Sequence, residues 1–367
     1  MENDDGARET VDISYARKGD IGKMIPPPAT KNQSLAGFDG DYVDIVDYIV
    51  RCTHKIWEEG GLGRIYTHYQ HNATVWTSDG MSYSREEVIA ASAQTQAAFP
   101  DGKLYTDDVI WAGNDVDGFH TSHRIMWVGH NTGYTVYGPP TGRKMVRTGI
   151  ANCFVRENRV IEEWIARDEI SLVLQLGFDP NAIAERYARA AFRGELPRLP
   201  NGNVERVAGQ TTPAPLPPAG EGDFDPEDFV RRAIHEIWNW RYLHKIQDYY
   251  SPVAITHTAG RRDLYGYGDL RTFILSLIAA FPDCAMSVDH TYHIGNLQDG
   301  YRVACRWTLH GHHRGYGPYG APTGGPIKIL GVTHFHIKGG QITEEWMLFD
   351  ELAIYKQVWL ARVAAGA

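Results

Sequence analysis

The sequence predicts an α+β protein in which two tandem domains each pack three helices on one strongly curved antiparallel sheet. Three motifs carry this prediction, because each occurs twice at a spacing of 182 residues: Ala-Phe-Pro-Asp at 98–101 and 280–283, Pro-Thr-Gly at 140–142 and 322–324, and Glu-Glu-Trp at 162–164 and 344–346. This spacing far exceeds the roughly 20–50 residues of a solenoid repeat, so each copy must bury a core of its own. A chain of 367 residues also fits two domains.

Within each copy, helical patterns come first and strand patterns follow. Apolar residues recur with helical spacing at 43–57, 65–69 and 86–99, and again at 229–240, 246–250 and 269–281. The third helix of each copy should end at its Phe-Pro pair, because the residue before proline avoids the helical conformation. Alternating patterns then indicate strands at 119–130, 144–155 and 160–168, and in the second copy at 301–312, 326–337 and 342–350. Helices grouped before antiparallel strands are typical of the α+β class.

Composition places the domain boundaries. Residues 1–40 are polar, contain three consecutive prolines and form a predicted N-terminal arm, and the first domain is predicted to span 41–192. A helix that begins at Asp179-Pro180 is expected to close this domain. Residues 193–224 are rich in proline and glycine, which is typical of a linker, and the second domain is predicted to span 225–367.

The composition also argues against several functions. A formal net charge of −9 without a basic cluster argues against nucleic-acid binding, which needs Lys and Arg to replace phosphate counterions. No run of 18 apolar residues and no signal-like N-terminus occurs, so we expect a cytoplasmic protein without a membrane partner. The four cysteines stand singly and are expected to be buried small hydrophobes. The 20 Tyr and 10 Trp favour a pocket for a small aromatic substrate.

Strand alternation selects the candidate catalytic residues. Side chains two residues apart share a face of a sheet, so neighbouring strands can point Arg, His and Asp into one pocket. The set is Arg124, His130 and Asp168 in the first copy, and Arg306, His312 and Asp350 in the second. We expect the aspartate, its pKa raised by a dry pocket, to transfer a proton, with the histidine as its partner and the arginine stabilising negative charge. The alternative is a structural Arg–Asp pair.

The same alternation places Glu163 and Glu345 opposite the tryptophans, so they are expected to face away from the pocket. The candidate substrate-binding residues are aromatic and histidine side chains: Tyr66, Tyr69, His71 and Trp164, and in the second copy Tyr249, Tyr250, His257, His334 and Trp346. Each of them could equally serve packing. The second copy also crowds five histidines into two segments, but without the spacing of known zinc motifs, so no metal is predicted.

One combination of motifs resembles a known family. Gly-His-x-x-Gly at 129–133 precedes Gly-Pro-Pro-Thr-Gly-Arg at 138–143, and Glu-Glu-Trp at 162–164 follows with Asp168. The second copy repeats the set, with Ala321 for the first proline and Gly325-Pro326 for the basic pair. This combination resembles the SnoaL-like polyketide cyclase branch of the nuclear-transport-factor-2-like superfamily. The resemblance implies cone-shaped domains, each with a cavity between sheet and helices, and a cofactor-free acid/base enzyme for small apolar substrates.

Members of that family include aldol-type cyclases, epoxide hydrolases, dehydratases, isomerases, proteins that only bind, and lyases that release formaldehyde from lignin-derived diaryl dimers. Our first hypothesis is therefore a lyase that acts on a small hydroxylated diaryl compound with loss of water or a one-carbon unit. The alternatives are a polyketide-type aldol cyclase or isomerase, and a non-catalytic binding or assembly module. The duplication predicts either a homo-oligomer or a pseudo-dimer within one chain.

Overall fold

The computed structural model describes residues 13–14, 30–196, 215–218, 220 and 222–366. Most of the predicted arm at 1–40 and of the predicted linker at 193–224 lies outside the described residues, so the domain boundaries stay predictions. No helix in the described ranges is long and apolar enough to cross a membrane. The four cysteines are free and buried, as expected.

The first domain contains one six-stranded sheet, with helices before, between and after its strands along the chain. Its elements are α1 (Ile45–Thr53), which continues as a π-helical turn (His54–Glu58), a 3₁₀ turn (Leu62–Arg64), α2 (Ile65–His68), β1 (Tyr69–Thr77), β2 (Gly80–Tyr83), α3 (Arg85–Ala98), β3 (Lys103–Asn114), β4 (Gly118–His130), β5 (Lys144–Arg156), β6 (Arg159–Arg167), α4 (Glu169–Leu176) and α5 (Pro180–Phe192). Asp44 begins α1, because its carboxylate accepts a hydrogen bond from the backbone N–H of Asp47 at 2.9 Å.

The second domain repeats this order, except that one long helix follows its last strand where the first domain has two helices. Its elements are α6 (Pro226–Ile234), a π-helical turn (His235–Asn239), a 3₁₀ turn (Leu243–Lys245), α7 (Ile246–Tyr249), β7 (Tyr250–Thr258), β8 (Arg262–Tyr265), α8 (Gly266–Ala280), β9 (Ala285–Asn296), β10 (Gly300–His312), β11 (Pro326–Lys338), β12 (Gln341–Phe349) and α9 (Glu351–Ala364). Helices α3 and α8 both end at the Phe-Pro pair, as predicted.

The two sheets share one topology. The strand order is β2-β1-β6-β5-β4-β3 in the first domain and β8-β7-β12-β11-β10-β9 in the second. Neighbouring strands are antiparallel except β1 with β6 and β7 with β12, which are parallel. Register shifts between several strand pairs are bulges of the kind that bend a sheet. The α+β class is confirmed, with two differences. Each sheet contains one parallel pair and is therefore mixed rather than purely antiparallel. A strand hairpin also comes before α3 and before α8, so not all helices precede the strands.

The outer faces of the two sheets pack against each other within the chain. Asn152 donates from Nδ2 to the Tyr292 hydroxyl at 2.9 Å, and His334 Nε2 hydrogen-bonds Ser122 Oγ at 2.7 Å. Between these contacts lies an apolar cluster of Ile150, Ala166, Val332 and Leu348. The pseudo-dimer within the chain is thus present, whereas association of several chains stays a prediction.

Helix α5 does not simply close the first domain as expected, because it packs against α9 of the second. Trp359 on α9 donates from Nε1 to Asn181 Oδ1 at 3.3 Å. Lys356 Nζ on α9 lies 5.1 Å from the centre of the Tyr187 ring. The two domains are therefore joined by a helix pair as well as by their sheets.

Candidate active site

A cavity of about 190 Å³ lies between the sheet and the helices of the first domain. It opens into a wider mouth of about 530 Å³, with which it shares wall residues such as Trp127, Arg147 and Arg167. Its inner wall is mostly apolar and aromatic, with Ile49, Trp57, Val88, Ile125 and Ile165 among its residues. A largely apolar cleft with a few polar groups is typical of a small-molecule site.

A tyrosine–glutamate pair lies in the wall of this cavity. Tyr69, the first residue of β1, donates from its hydroxyl to Glu163 Oε2 at 3.0 Å. The other carboxylate oxygen, Oε1, has the Cys153 thiol at 3.7 Å. Burial raises the pKa of Glu163 above its ordinary value, although the hydrogen bond from Tyr69 and the charge of Arg167 oppose the rise. Glu163 is therefore a carboxyl group adapted to hold or accept a proton.

His123 on β4 is the second titratable group of the inner wall. Its Nε2 hydrogen-bonds Thr106 Oγ1 at 2.9 Å, and its Nδ1 lies 3.4 Å from Thr53 Oγ1. Burial lowers the pKa of His123 to about 3, so the ring is neutral at physiological pH. Thr106 fixes the neutral ring through Nε2, and a substrate oxygen can accept from the Nδ1–H group in place of the long Thr53 contact, without added charge.

Charged residues surround the mouth of the cavity. Arg147 donates from Nη1 to Glu169 Oε1 at 2.8 Å and lies over the Trp127 ring at 4.8 Å. Tyr137 donates to the other oxygen of Glu169 at 2.8 Å. Asp350 of the second domain also lines the mouth, so one wall of the opening comes from the duplicated half.

The corresponding interior of the second domain is filled, with a residual cavity of about 10 Å³. The pair itself is repeated, because Tyr250 donates to Glu345 Oε2 at 3.0 Å and burial raises the pKa of Glu345 to about 7. Larger or apolar side chains replace those of the first domain at positions 182 residues later: Phe273 for Ala91, Leu277 for Thr95, Trp307 for Ile125, Phe335 for Cys153 and Phe349 for Arg167. Only the first of the two described interiors has room for a substrate.

The family model for SnoaL-like polyketide cyclases matches residues 48–176 and 228–358, more than half of the chain. This chain belongs to the SnoaL-like polyketide cyclase family. Members of the family are typically enzymes such as cyclases and isomerases, and the family suggests a cofactor-free role of that kind. Each match covers one domain, so the chain carries two SnoaL-like domains in tandem.

Solved structures from several bacteria are similar to a single SnoaL-like domain. A protein of Jannaschia sp. CCS1 described as a SnoaL-like polyketide cyclase is 19% identical, with 38% of this chain and 97% of that chain covered at a TM-score of 0.34. Two further proteins described as polyketide cyclases, from Acidithiobacillus ferrooxidans and Streptomyces antibioticus, are each 23% identical at a TM-score of 0.32. The first match covers 37% of this chain and 94% of that chain, and the second covers 36% and 97%. No curated protein matches the chain.

The strand face that we predicted to line the pocket lies instead between the two SnoaL-like domains. Arg124 is stacked over the Trp346 ring at 3.4 Å, and Arg306 is stacked over the Trp164 ring at 3.5 Å. The two pairs are reciprocal, as in an interface with two-fold symmetry. The prediction assigned the wrong face of the strands to the cavity. The odd-numbered side chains of these strands, including Glu163, face the cavity, and the even-numbered ones face the other domain. His334 also lies in this interface.

The other predicted catalytic residues have structural contacts. Asp168 and Asp350 begin α4 and α9 by accepting from the backbone N–H groups of Ser171 and Ala353, each at 3.2 Å. Asp168 also accepts from the backbone of Gly260 at 2.8 Å, which joins it to the second domain. We expected both aspartates to line a pocket, but neither lies beside the inner cavity, and only Asp350 lines its mouth.

His130 and His312 end β4 and β10, outside both interiors. Each ring hydrogen-bonds the aspartate of the repeated Phe-Pro-Asp motif through Nδ1, with distances of 2.6 Å to Asp101 and 2.7 Å to Asp283. The same aspartates accept from the histidine backbone N–H groups. The repeated motifs thus fasten the end of the third helix to the end of a strand, and their recurrence reflects folding rather than catalysis.

The predicted binding residues divide into three groups. Tyr69 lies in the cavity wall and Tyr250 at the same place in the filled domain. Tyr66 and His71 are exposed, and Tyr249 donates to Glu236 at 2.7 Å. His257 stacks on Trp346 on the outer face, at a centroid distance of 5.1 Å. Among the residues that the structure describes, no group of three or more His, Cys, Asp or Glu could hold a metal ion.

Sequence reasoning missed Glu163, His123 and Arg167 as cavity residues. A signal was available in the second copy, where alternate residues of β10 form the apolar row Val303, Cys305, Trp307 and Leu309 on the face opposite Arg306. The apolar row of a strand marks its core side. Applied to the first copy, this signal turns Glu163 and His123 inward.

Proposed function

We propose that the first domain is a cofactor-free acid/base enzyme in which Glu163 transfers a proton to and from a small, mostly apolar substrate in the cavity. The observation that carries this proposal is the buried Glu163 carboxyl in an open cavity, next to its counterpart Glu345 in a filled one. Because the pair of tyrosine and glutamate occurs in both domains, access to the pair is what distinguishes an active site from a structural contact.

Glu163 has the properties of a general base. Its Oε2 is occupied by the Tyr69 hydroxyl, whereas Oε1 has a weak thiol contact and a lone pair available for a substrate proton. A pKa raised by burial brings the carboxylate closer to physiological pH, where proton abstraction is most effective. The Tyr69 hydrogen bond fixes the carboxylate in place.

His123 lies two strands from Glu163, across β5, which corresponds to about 10 Å between the strands. A substrate of one or two rings can span that distance, with an acidic C–H group at Glu163 and a carbonyl oxygen near His123. Glu163 would take the proton from carbon, and the resulting enolate would form a bond to a second carbonyl carbon of the same molecule. The new alkoxide would then regain the proton from Glu163, which gives an aldol-type cyclisation; return of the proton to another carbon gives an isomerisation.

A second candidate is the lyase on a hydroxylated diaryl compound. The aromatic residues Trp57, Tyr69 and Trp127 in the wall favour it, because they can pack on an aromatic ring. Glu163 would first take the phenol proton and deliver it to a benzylic hydroxyl group, which leaves as water while the phenolate ring becomes a para-quinone methide. The carboxylate would then take the proton of a CH2OH group, the C–C bond to that group would break to release formaldehyde, and the electron pair of that bond would convert the quinone methide back to a phenolate, which regains the proton from Glu163. The cyclase or isomerase is preferred because it matches the activities typical of the family.

The test compares Glu163→Gln with the matched variant Glu345→Gln. Turnover is followed by mass spectrometry with two sets of substrates, linear aromatic polyketides and hydroxylated diaryl compounds. We expect Glu163→Gln to lower kcat at least about 1,000-fold, in the range of losses found for a general base, and Glu345→Gln to lower it less than about threefold. Full activity of Glu163→Gln would overturn the proposal, and ligand binding without turnover by the wild type would identify a binding module.

A further inference from the structure

We propose that Arg167 binds a carboxylate group of the substrate at the mouth of the first-domain cavity. This inference rests on the proposed function, because it assigns the class of substrate: an aromatic or otherwise apolar body with a carboxylate at one end. Arg167 is the last residue of β6 and contributes to the walls of both the inner cavity and the mouth.

The guanidinium group of Arg167 makes no hydrogen bond or ion pair with any residue that the structure describes. Arg167 is paired with Gly149 on the neighbouring strand β5. A Cβ atom added to Gly149 would lie 3.7 Å from Cγ of Arg167, so the arginine side chain runs along the cavity wall beside this glycine. Arginine has five N–H donors in a planar fork, which matches the two oxygens of a carboxylate. A guanidinium in this position is a built receptor for an anion.

The acidic groups nearby are already engaged. Glu169 accepts from Arg147 with one oxygen and from Tyr137 with the other. Glu163 accepts from Tyr69, and burial raises its pKa. Asp350 accepts from the backbone of its own helix, and burial raises its pKa as well. The positive charge at the mouth is therefore left for a ligand.

Desolvation makes an unpaired arginine costly. Burial and the charge of Arg147 lower the pKa of Arg167, although arginine remains protonated at any physiological pH. The side chain is half-buried, so its guanidinium group loses part of its hydration without gaining an ion pair in return. A carboxylate ligand would supply that missing partner.

The second domain supports this assignment. It has Phe349 at the position of Arg167 and Ile329 at the position of Arg147, so the same sheet forms without either arginine. Both arginines thus accompany the open cavity. Because Glu163 and Arg167 share a face of β6 four residues apart, their Cα atoms are separated by about 13 Å, which sets the length of the substrate.

The test measures binding of 2-naphthoate and its neutral isostere 2-naphthamide to the full-length protein by calorimetry. We expect the wild type to bind 2-naphthoate at least about tenfold more tightly than 2-naphthamide. Arg167→Met should lose this preference while its affinity for 2-naphthamide changes less than about twofold, and Arg167→Lys should keep part of it. Arg159→Met, an exposed arginine on the same strand, should behave as the wild type. Thermal melts verify that each variant is folded.

Equal affinity of the wild type for the two probes, no binding of either at about 1 mM, or an unchanged preference in both Arg167 variants would overturn the inference. A loss of kcat in Arg167→Met with unchanged 2-naphthoate affinity would also overturn it, because the arginine would then serve a charge that forms only during reaction. Glu163→Gln should bind 2-naphthoate normally. An active Glu163→Gln variant would therefore refute the proposed function while leaving the naphthoate preference intact, so the two failures are distinguishable.

Discussion

The two domains have the same topology and the same buried tyrosine–glutamate pair, yet one has a cavity beside the pair and the other has tryptophan and phenylalanine there. In the second domain, Trp307 lies against Gly331, where an added Cβ would come within 2.1 Å of the ring. The equivalent Gly149 of the first domain has its nearest neighbours at 3.6 Å or more. The comparison shows that the pair belongs to the fold, and that the neighbouring side chains decide whether it can reach a substrate.

The second domain, whose interior is filled, contacts the first domain at several places. Its outer sheet face covers that of the first domain, and its Asp350 lines the mouth of the open cavity. Lys356 of α9 also forms an ion pair of 2.7 Å with Asp79 on the β1–β2 turn. The second domain therefore acts as a permanent partner that supports and borders the site of the first.

The largest expected effect is on the filled domain. Trp307→Ile removes a buried ring that packs on Gly331 and leaves the Thr333 hydroxyl without the Nε1 donor that now lies 2.9 Å away. We expect the free energy of unfolding to fall by about 3 kcal/mol, because a large side chain is removed from a packed core. Denaturant unfolding measures this loss. A loss below about 1 kcal/mol would mean that the second interior is not tightly packed.

The reverse substitution, Ile125→Trp, should close the open cavity. The new ring would lie over Gly149, as Trp307 lies over Gly331, so the domain should still fold. We expect the affinity for 2-naphthamide to fall at least about 100-fold, whereas the control Ile125→Leu should change it less than about threefold. Calorimetry of both variants checks this prediction. Unchanged binding by a folded Ile125→Trp variant would place the ligand elsewhere.

A third prediction concerns Glu345 and pH. The folded protein keeps the proton of Glu345 up to about pH 7, whereas the unfolded chain releases it near pH 4.5, so this group weakens folding as pH rises between these values. Glu345→Gln should therefore increase the free energy of unfolding by about 2 kcal/mol at pH 8 and leave it nearly unchanged at pH 4.5. Denaturant titrations at the two pH values measure the difference. An equal gain at both would show that the proton is not responsible.

The smallest effect concerns the interface. His120 and His290 face each other across the sheets with ring centroids 4.4 Å apart, beside Arg306, Phe154 and Tyr292. Burial and the neighbouring charges lower the pKa of His120 to about 4, so the unfolded chain binds more protons below pH 6.5 and stability falls as pH drops from 6.5 to 4. His120→Phe should reduce the loss between pH 7 and pH 5 by about 1 kcal/mol. An identical pH dependence in the variant would contradict this.

The duplication and the α+β class could be predicted because the motifs repeat at a constant spacing and each segment has a clear period. The inner face of the strands could not be predicted from alternation alone. In an isolated sheet one face is wet, but here the second domain covers the outer face, so Arg124, Trp164 and His334 are drawn into an interface that resembles a polar pocket. Asp168 illustrates a different limit, because a helix-capping aspartate and a catalytic one look alike until their partners are known.

The most direct test of the account is a crystal structure of the wild-type protein with bound 2-naphthoate. The account predicts one ligand per chain in the first domain, with its rings near Glu163, its carboxylate on Arg167 and no ligand in the second domain. A ligand in the second interior, or one bound only between the two sheets beside Arg124 and Trp346, would contradict it.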